Sequence, residues 1–445
     1  MPAAPAAVVA VSAAPRVVIV GGGFAGLCAA KALGHAPVHV TLIDRRNHHL
    51  FQPLLYQVAT AGLAPTQIAT PIRAIVRRQK NTDVLMGEVT GVDPGTKHVL
   101  LGDRSVPYDQ LVLATGARHA YFGHDDWEPF APGLKTLEDA ISIRARILLS
   151  FERAELEPDP AERARLMSFV LIGGGATGVE MAGAIAELAK KALARDYRHI
   201  DTKTARIILL EAGPKLLAQF PDELSEHARK SLERLGVEVR LGAAVTACDA
   251  DGVTIGAIKI ESRCLIWAAG VQSSPAARWL DAPSDRAGRA IVGPYLRVDG
   301  HNDIFVVGDC ALARGPHDKA LPGLASVAKQ QGKYVGQSIL AELAGRPVKP
   351  FAYTSYGELA TVGRKAAIAD FHGFRLGGFL GWLVWSFAHI YFLIGFRNRI
   401  AVALDWTWSY LTFERGSRLI TGEAPGSARL QPRPRLPAQP DRIAG

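Results

Sequence analysis

Two stretches of the chain, RVVIVGGGFAGLCAAKAL at residues 16–33 and SFVLIGGGATGVEMAGAIAEL at residues 168–188, repeat one pattern. Each has an apolar run, a glycine-rich turn and an alanine-rich segment, and each precedes a second apolar run that ends in an acid, Asp44 or Glu211. This order predicts a strand, a helix and a second strand, the βαβ unit typical of dinucleotide binding. Because the unit occurs twice in 445 residues, we expect an α/β protein with two Rossmann-like domains.

The first copy has the complete spacing G-x-G-x-x-G, at Gly21, Gly23 and Gly26. The first glycine would permit a tight turn, the second would let the backbone approach a pyrophosphate, and the third would let helix and strand pack closely. The N-terminus of the helix would offer backbone amides and a partial positive charge to the phosphates. Asp44 would accept hydrogen bonds from a ribose diol. A purely structural glycine turn is the alternative, but the complete unit favours a nucleotide site.

The second copy carries Gly173, Gly175 and Gly178, with Glu211 at the end of its second strand. A carboxylate beside the ribose 2′-hydroxyl accepts its hydrogen bonds and repels a 2′-phosphate, so we expect NADH to be preferred over NADPH. The interval before Glu211 is long, because the segment KKALARDYRHIDTKT at residues 190–204 is inserted there.

Two dinucleotide sites in one chain predict that one nucleotide stays bound as a prosthetic flavin while the other visits as a hydride donor. A buried strand ending in Ala114-Thr115-Gly116 lies between the two copies, and another ending in Gly308-Asp309 follows them. This order assigns FAD to the first copy and predicts that the second domain is inserted in the first. Asp309 would accept a hydrogen bond from the ribityl chain of FAD; a loop aspartate that caps the next helix is the alternative.

We therefore expect five parts along the chain. They are a disordered leader at residues 1–15, an FAD-binding domain at residues 16–125 and 295–350, an NADH-binding domain at residues 126–294, a C-terminal membrane-associated region at residues 351–421, and a disordered tail at residues 422–445.

The composition narrows the range of partners and chemistry. The formal net charge of +9 permits contact with an anionic surface, and because arginine-rich runs and zinc-finger spacings are missing, acidic lipid is favoured over nucleic acid. Cys28, Cys248, Cys264 and Cys310 are scattered singly, so we expect no disulfide framework, no metal site and no dithiol that relays electrons from a flavin.

The C-terminal region contains an apolar stretch, residues 376–396, without Asp, Glu, Lys or Arg. Such a stretch is long enough to span a bilayer, although three glycines weaken a continuous helix. After Arg397 and Arg399, the segment IAVALDWTWSYLTF has an apolar helical face with tryptophans suited to a membrane interface. We expect two helices lying in the interface; a single span and an apolar contact between two copies of the chain are the alternatives.

Several motifs together resemble the type II NADH:quinone oxidoreductases, single-subunit NADH dehydrogenases that pump no protons. They are the run VTLIDRRNHHLFQPLLYQVATAG at residues 40–62, the two glycine motifs, VVGDCA at residues 306–311, and FRNRIAVALDWTWSYLTFERGSRLI at residues 396–420. The resemblance covers about residues 16–420. It implies non-covalent FAD, NADH as donor, a membrane quinone as acceptor, and monotopic attachment to the cytoplasmic face of the inner (plasma) membrane.

The motifs and the resemblance together give a set of candidate site residues. For FAD they are Gly21, Gly22, Gly23, Phe24, Ala25, Gly26, Asp44, Arg45, Val89, Ala114, Thr115, Gly116, Asp309, Ala328 and Lys329. For NADH they are Gly173, Gly175, Thr177, Gly178, Glu211, Ala269 and Gly270.

The resemblance also implies two catalytic residues, Glu180 and Gln330. Glu180, two positions after the last glycine of the second motif, would help to deliver protons to the quinone; a first-turn carboxylate stabilised by the helix dipole or an ion pair is the alternative. The family carries A-Q-x-x-x-Q at its quinone site, and here Ala325 and Gln330 match while Ser326 replaces the first glutamine.

Two other functions fit parts of the pattern. A sulfide:quinone oxidoreductase would share the flavin domain, but it needs cysteines flanking the flavin, and this chain has none after Cys310. An NADH-reducible redox sensor would be reduced once and stop, whereas an enzyme would turn over steadily with a soluble quinone analogue.

Overall fold

The computed structural model describes residues 14–364, 366–371, 373–412 and 414–421. The tail expected at residues 422–445, and all but two residues of the expected leader, lie outside this part of the chain. The first 120 or so residues form ten strands and four helices among the described positions. The strands are β1 (Arg16–Val20), β2 (His39–Asp44), β3 (His48–Leu50), β4 (Ala69–Pro71), β5 (Thr82–Met86), β6 (Gly91–Asp93), β7 (His98–Leu101), β8 (Arg104–Pro107), β9 (Gln110–Leu113) and β10 (Ala117–His119), and the helices are α1 (Phe24–Ala32), α2 (Leu55–Ala59), α3 (Pro65–Ile68) and α4 (Ile72–Val76).

The remaining elements follow in three groups. The middle of the chain forms α5 (Leu137–Leu156), α6 (Pro160–Leu166), β11 (Ser168–Ile172), α7 (Ala176–Glu187), β12 (Arg206–Leu210), α8 (Asp222–Arg234), β13 (Val237–Arg240), β14 (Val245–Asp249), β15 (Gly252–Ile255), β16 (Ile258–Glu261), β17 (Cys264–Trp267), β18 (Val271–Ser273) and α9 (Ala276–Trp279). Next come β19 (Ala290–Ile291), β20 (Ile304–Val306), β21 (Ala311–Leu312) and α10 (Ala325–Leu343). The C-terminal region forms β22 (Glu358–Gly363), β23 (Ala366–Phe371), β24 (Phe374–Leu376), α11 (Gly378–Phe392) and α12 (Phe396–Thr412).

Two parallel sheets carry the two glycine motifs. The outer sheet has the order β20-β9-β1-β2-β5, and the inner sheet has the order β13-β12-β11-β17. Because β20 pairs with β9 in parallel, the chain leaves the outer sheet after β9, builds the inner sheet and returns. The antiparallel pair β10 and β18 joins the outgoing and returning segments. The predicted fold class, one Rossmann-like domain inserted in another, is confirmed.

The sequence explains why the central strands lie inside. Four of the five residues of β1 and all five of β11 are buried, because helices cover both faces of a parallel sheet and its strands therefore read as continuous apolar runs. The hydrophobic core of the outer sheet also contains Ala276, Ala277 and Ala290, so the returning chain packs into this core before residue 295.

Helix α10 lies directly against α1, the helix of the first glycine motif. A Cβ atom at Gly332 would come within 3.0 Å of the Ala25 carbonyl oxygen, and one at Gly336 would clash with the Ala32 side chain. Two glycines one turn apart therefore let the helices approach closely, which places the N-terminal end of α10 beside the first glycine loop.

The C-terminal region packs into the inner domain rather than standing apart from it. Trp385, Leu393 and Val402 belong to the same hydrophobic core as α7, and a Cβ at Gly183 of α7 would clash with the Val362 carbonyl of β22. The 21-residue apolar stretch does not form one continuous helix. It begins in the last residue of β24, runs through the 15-residue helix α11 and ends after a turn at residues 393–395. In the described ranges, none of the helices is both long and apolar enough for a membrane crossing.

The close contact of α1 and α10 yields a stability prediction. Gly332→Ala should lower the free energy of unfolding by about 1–3 kcal/mol through overpacking, even though alanine favours a helix. The matched control is Gly416→Ala, because a Cβ at this position meets nothing within 4 Å in the described chain. Urea denaturation followed by circular dichroism measures both variants, and equal stability of the two would contradict the packing described above.

Candidate active site

The first glycine loop is folded around contacts that only glycine permits. Gly21 has a φ of +105°, and a Cβ there would lie under 3.0 Å from the Ala114 carbonyl oxygen of the neighbouring strand. A Cβ at Gly26 would meet the Gly21 carbonyl oxygen equally closely. Gly23, in contrast, has no described atom within 4 Å of a Cβ, so its surface is open. The first and third glycines thus serve the fold, while the second leaves room for a ligand.

The second glycine loop repeats this geometry in the inner domain. Gly173 has a φ of +113° and lies against the backbone of Ala268 and Ala269, and Gly178 lies against the Gly173 carbonyl. Gly175 corresponds to Gly23, since no described atom lies within 4 Å of a Cβ there. The loop therefore meets the end of β17, where the predicted NADH residues Ala269 and Gly270 follow.

Both helices that start at these loops keep their N-termini available. Among the described residues, no side chain caps α1 or α7, and neither helix has an acid in its first turn. Uncapped amides and the positive end of the helix dipole suit a phosphate group. The two predicted pyrophosphate sites are therefore geometrically equivalent.

Asp44 and Glu211 have a second task that the sequence did not reveal. Asp44 accepts backbone hydrogen bonds from Gly22 (2.6 Å) and Arg46 (2.7 Å). Glu211 accepts the equivalent bonds from Gly174 (2.5 Å) and Gly213 (2.6 Å). Each acid thus holds its glycine loop in place. A carboxylate has about four acceptor positions, so a ribose hydroxyl can still bind to each.

The remaining FAD candidates gather at the carboxyl edge of the outer sheet. Residues 114–116 follow β9, and Asp309 follows β20. Thr115 and Ser274 share a side-chain hydrogen bond between the outgoing and returning segments. Arg45 is exposed directly after β2, and Val89 lines a surface cleft with Trp279.

Two buried polar residues at this edge were missed by sequence reasoning. The Gln331 side chain accepts a hydrogen bond from the Gly308 amide (2.6 Å), and it is only 1% exposed. His49 Nδ1 is 2.9 Å from the Gly22 carbonyl oxygen and must donate to it. Burial lowers the pKa of His49 to about 4, so its ring is neutral at pH 7. Its buried Nε2 is an acceptor without a partner in the part of the chain described.

Lys329 connects the first glycine loop with the C-terminal region. Its Nζ lies 5.4 Å from the centre of the Phe24 ring and 4.4 Å from that of Phe392 on α11. Phe24 also contacts Phe51, which in turn contacts His389 of α11 at 6.2 Å between ring centres. A continuous set of aromatic contacts therefore joins the first glycine loop to α11.

Glu180 lies in the second turn of α7, not at its first turn, so the helix dipole does not account for it. Burial raises the pKa of Glu180 to about 8, and a backbone hydrogen bond from Thr361 of β22 opposes this shift. The carboxyl group is therefore mostly protonated at neutral pH, as a proton donor requires.

Gln330 pairs with a neighbouring backbone segment. Its amide group donates to the Thr354 carbonyl (2.8 Å) and accepts from the Thr354 amide (3.0 Å). Ser326, which replaces the family glutamine, bonds through its hydroxyl to Tyr353 (3.1 Å). These contacts hold α10 against residues 353–354 and favour a bracing role for Gln330; its contact with quinone stays a prediction. Ala328, two residues before Gln330, is buried.

A buried charged cluster near Glu180 was also missed. Glu187, two turns along α7, accepts a hydrogen bond from the Arg364 amide and lies 3.4 Å from Arg415. Arg415 also donates to the Thr60 carbonyl (2.7 Å). Burial raises the pKa of Glu187, although the Arg415 charge opposes it. The seven-residue spacing of the two glutamates was visible in the sequence, but the pairing of Glu187 with the distant Arg415 was not.

Comparisons with known proteins agree with this geometry. The pyridine nucleotide-disulphide oxidoreductase family matches residues 15–332, and the NDH2 C-terminal domain matches residues 356–415. Two Mycobacterium tuberculosis proteins, the type II NADH:quinone oxidoreductases Ndh and NdhA, are 46% and 44% identical; the matches cover 92% and 93% of this chain and 90% and 91% of theirs. A demethylphylloquinone reductase of Synechocystis is 31% identical over 88% of this chain and 96% of its own.

Solved structures share the fold. NDH2 of Plasmodium falciparum in complex with NADH superimposes with a TM-score of 0.82 at 20% identity, over 91% of this chain and 99% of that one. Sulfide:quinone oxidoreductase of Aquifex aeolicus gives 0.70 at 18% identity, over 89% and 95%, a likeness of fold alone. On the strength of the two family matches and the relatives above 40% identity, this chain belongs to the type II NADH:quinone oxidoreductases and is an enzyme of that family.

Proposed function

We propose that this enzyme holds FAD without a covalent bond in the outer domain and transfers two electrons from NADH to a membrane quinone. The observation that carries the proposal is the pair of equivalent sites, each with an open glycine in front of an uncapped helix, together with a protonated acid on the second helix. The flavin, when bound, supplies a centre that takes up a hydride and releases electrons as a pair. The overall balance is NADH, a proton and quinone giving NAD⁺ and quinol.

Residues of this chain would bind and orient the two dinucleotides. Gly23 and the start of α1 would bind the FAD pyrophosphate, Asp44 the adenosine ribose, and Asp309 the ribityl chain. The start of α7 and Glu211 would bind NADH, and orientation of the two dinucleotides would supply most of the rate of hydride transfer. We place the return from the NADH domain to the FAD domain near residue 276, rather than at residue 295, because Ala276 and Ala290 pack in the outer core.

Glu211 should set the choice of nicotinamide cofactor. Glu211→Gln keeps one acceptor oxygen for the loop but removes the charge, so kcat/KM for NADH should fall about tenfold while that for NADPH falls less or rises. Glu238→Gln on the adjacent strand is the control. Ferricyanide as acceptor isolates this step, and an unchanged NADPH to NADH ratio would show that Glu211 does not face the ribose.

Glu180 should act only in the quinone half of the reaction, since only quinone reduction takes up protons. Glu180→Gln should leave flavin reduction by NADH unchanged and slow reoxidation by quinone by about 100-fold. Since the acid form is the donor and its pKa is about 8, reoxidation by the parent enzyme should slow as pH rises through 8. Stopped-flow absorbance separates the two halves; equal slowing of both would contradict the assignment.

Helices α11 and α12 expose an apolar face that is suited to a bilayer. We call this face the docking surface. Its exposed residues are Phe379, Leu380, Leu383, Phe387, Tyr391 and Phe392 on α11 and Phe396, Ile400, Leu404, Trp408 and Leu411 on α12. Two helices with exposed apolar and aromatic side chains favour interfacial binding, with the exposed Arg397 available to lipid phosphates. We therefore propose monotopic attachment to the cytoplasmic face of the inner (plasma) membrane; a contact between two copies of the chain is the other use of such a face.

The docking surface gives a direct binding test. Phe387→Asp combined with Leu404→Asp should weaken co-sedimentation with phosphatidylglycerol vesicles at least tenfold, because each change removes about 1.5–3 kcal/mol of apolar burial. Leu156→Asp with Leu343→Asp, exposed positions on α5 and α10, is the matched control. Ferricyanide reduction should persist in both. If vesicle binding survives but a dimer dissociates in sedimentation velocity, the surface joins two copies instead.

A further inference from the structure

Phe122 occupies a tight turn beside the inner sheet. The turn is closed by a hydrogen bond from the His124 amide to the Tyr121 carbonyl (3.0 Å). Its two central residues, Phe122 and Gly123, have φ values of +55° and +95°. Glycine adopts such values freely, whereas a bulky side chain at positive φ strains the backbone. Phenylalanine therefore makes this turn less stable than glycine would, and the fold alone does not account for the ring.

The residues before Phe122 are anchored to the inner sheet. Tyr121 is 3% exposed, and the centre of its ring lies 4.9 Å from that of Trp267 on β17. The Trp267 indole N–H donates to the Ala120 carbonyl (3.0 Å), and the Tyr121 hydroxyl donates to the Ala131 carbonyl (2.9 Å). Because buried groups fix both the backbone and the neighbouring ring, the turn is held in one place and Phe122 is presented at its outer side.

The Phe122 ring lies on Gly270, one of the predicted NADH residues. A Cβ at Gly270 would clash with the tip of the ring, and Gly270 itself has a φ of +73°. The Phe122 side chain is nevertheless 70% exposed, so the ring touches Gly270 with its tip and leaves most of its surface free. A single exposed apolar side chain is ordinary. Here the exposure coincides with a strained backbone and with contact to a predicted ligand-binding residue.

Gly270 lies between the second glycine loop and the predicted FAD residues. On one side, Gly173 lies against the backbone of residues 268–269, so the predicted pyrophosphate site adjoins Gly270. On the other side, β18 pairs with β10 and leads to Ser274, whose amide donates to the Gly116 carbonyl (3.1 Å). A dinucleotide with its pyrophosphate at the second loop has to extend along β18 for its nicotinamide to reach a flavin at Gly116. The nicotinamide half would therefore pass the ring of Phe122.

We propose that Phe122 binds the nicotinamide of NADH through the free surface of its ring. The inference rests on the proposed placement of NADH at the second glycine loop and Glu211. A flat aromatic ring is recognised by stacking or by edge contact with another ring. The strained turn holds the Phe122 ring out from the sheet, where such a contact can form, and this gives the strain a function.

Phe122→Gly removes the ring and suits the turn, so the variant should fold. In stopped-flow reduction of the flavin, the Kd for NADH should rise about fivefold to tenfold, because one aromatic contact is lost. ADP-ribose lacks only the nicotinamide, and its Ki as a competitor of NADH should stay unchanged. Phe122→Tyr keeps the ring and should retain the Kd of the parent within about twofold. An unchanged Kd for NADH in Phe122→Gly, or an equal loss of ADP-ribose binding, would overturn the inference.

Two further variants test the strain and the specificity of the effect. Phe122→Ala also loses the ring but keeps a Cβ at positive φ, so it should bind NADH as weakly as Phe122→Gly and melt at a lower temperature. Equal melting temperatures would contradict the strain from which the role of Phe122 is inferred. Ile258→Ala is the matched control, because Ile258 is 62% exposed on β16 beside the same sheet. It should change neither the Kd for NADH nor the Ki of ADP-ribose.

Glu211→Gln separates this inference from the proposed NADH site. NADH and ADP-ribose share the ribose that Glu211 would bind, so this variant should weaken both ligands, whereas Phe122→Gly should weaken NADH alone. If Glu211→Gln behaves in this way while Phe122→Gly leaves NADH binding unchanged, the NADH site stands and the role of Phe122 fails. If ADP-ribose does not compete with NADH, or binds Glu211→Gln as tightly as the parent, the proposed site fails and the inference with it.

Discussion

Both predicted nucleotide sites depend on one steric constraint, the contact of a glycine loop with the next parallel strand. Gly21 lies against the Ala114 carbonyl and Gly173 against the backbone of Ala268. A side chain at either position would separate the loop from the strand and would also displace the helix that begins there. These two contacts therefore determine where α1 and α7 begin at the carboxyl edge of each sheet and in which direction each helix runs. Asp44 and Glu211 complete the arrangement because each accepts one hydrogen bond from an amide of its glycine loop and one from the amide two residues after itself.

The consequences of the second contact extend to Glu180. Because the Gly173 loop fixes the start of α7, it also fixes Glu180 and Glu187 on the side that faces α2 and β22. The C-terminal sheet buries Glu180, and burial is the reason that its pKa is high. A residue that would be an ordinary surface acid on an isolated helix is thus made protonated at neutral pH by a region 180 residues later in the chain.

The parts of the site that the sequence predicted are local in character. The glycine motifs, their acids and the strand ends at Gly116 and Asp309 can be recognised because each depends on spacing within one βαβ unit. The contacts of His49, Gln331 and Arg415 could not be predicted, since their partners lie far away in sequence. Hydropathy likewise indicated an apolar stretch at residues 376–396 but not its division, because Trp385 packs in the core while Phe387, two residues later in the same helix, is exposed.

The buried pair of Arg415 and Glu187 has a consequence for how such a chain can be cut or recombined. Arg415 follows the docking helices and returns to the centre of the molecule, where it contacts α7 and the carbonyl of Thr60. A fragment that ended before α11 would leave a carboxylate in an apolar core without its cation, which is costly to fold. Helices α11 and α12 are therefore not an exchangeable tag: a chimera between two members of this family would have to transfer α7, which carries Glu187, and the segment around Thr60 together with them, so that both halves of each contact come from one parent.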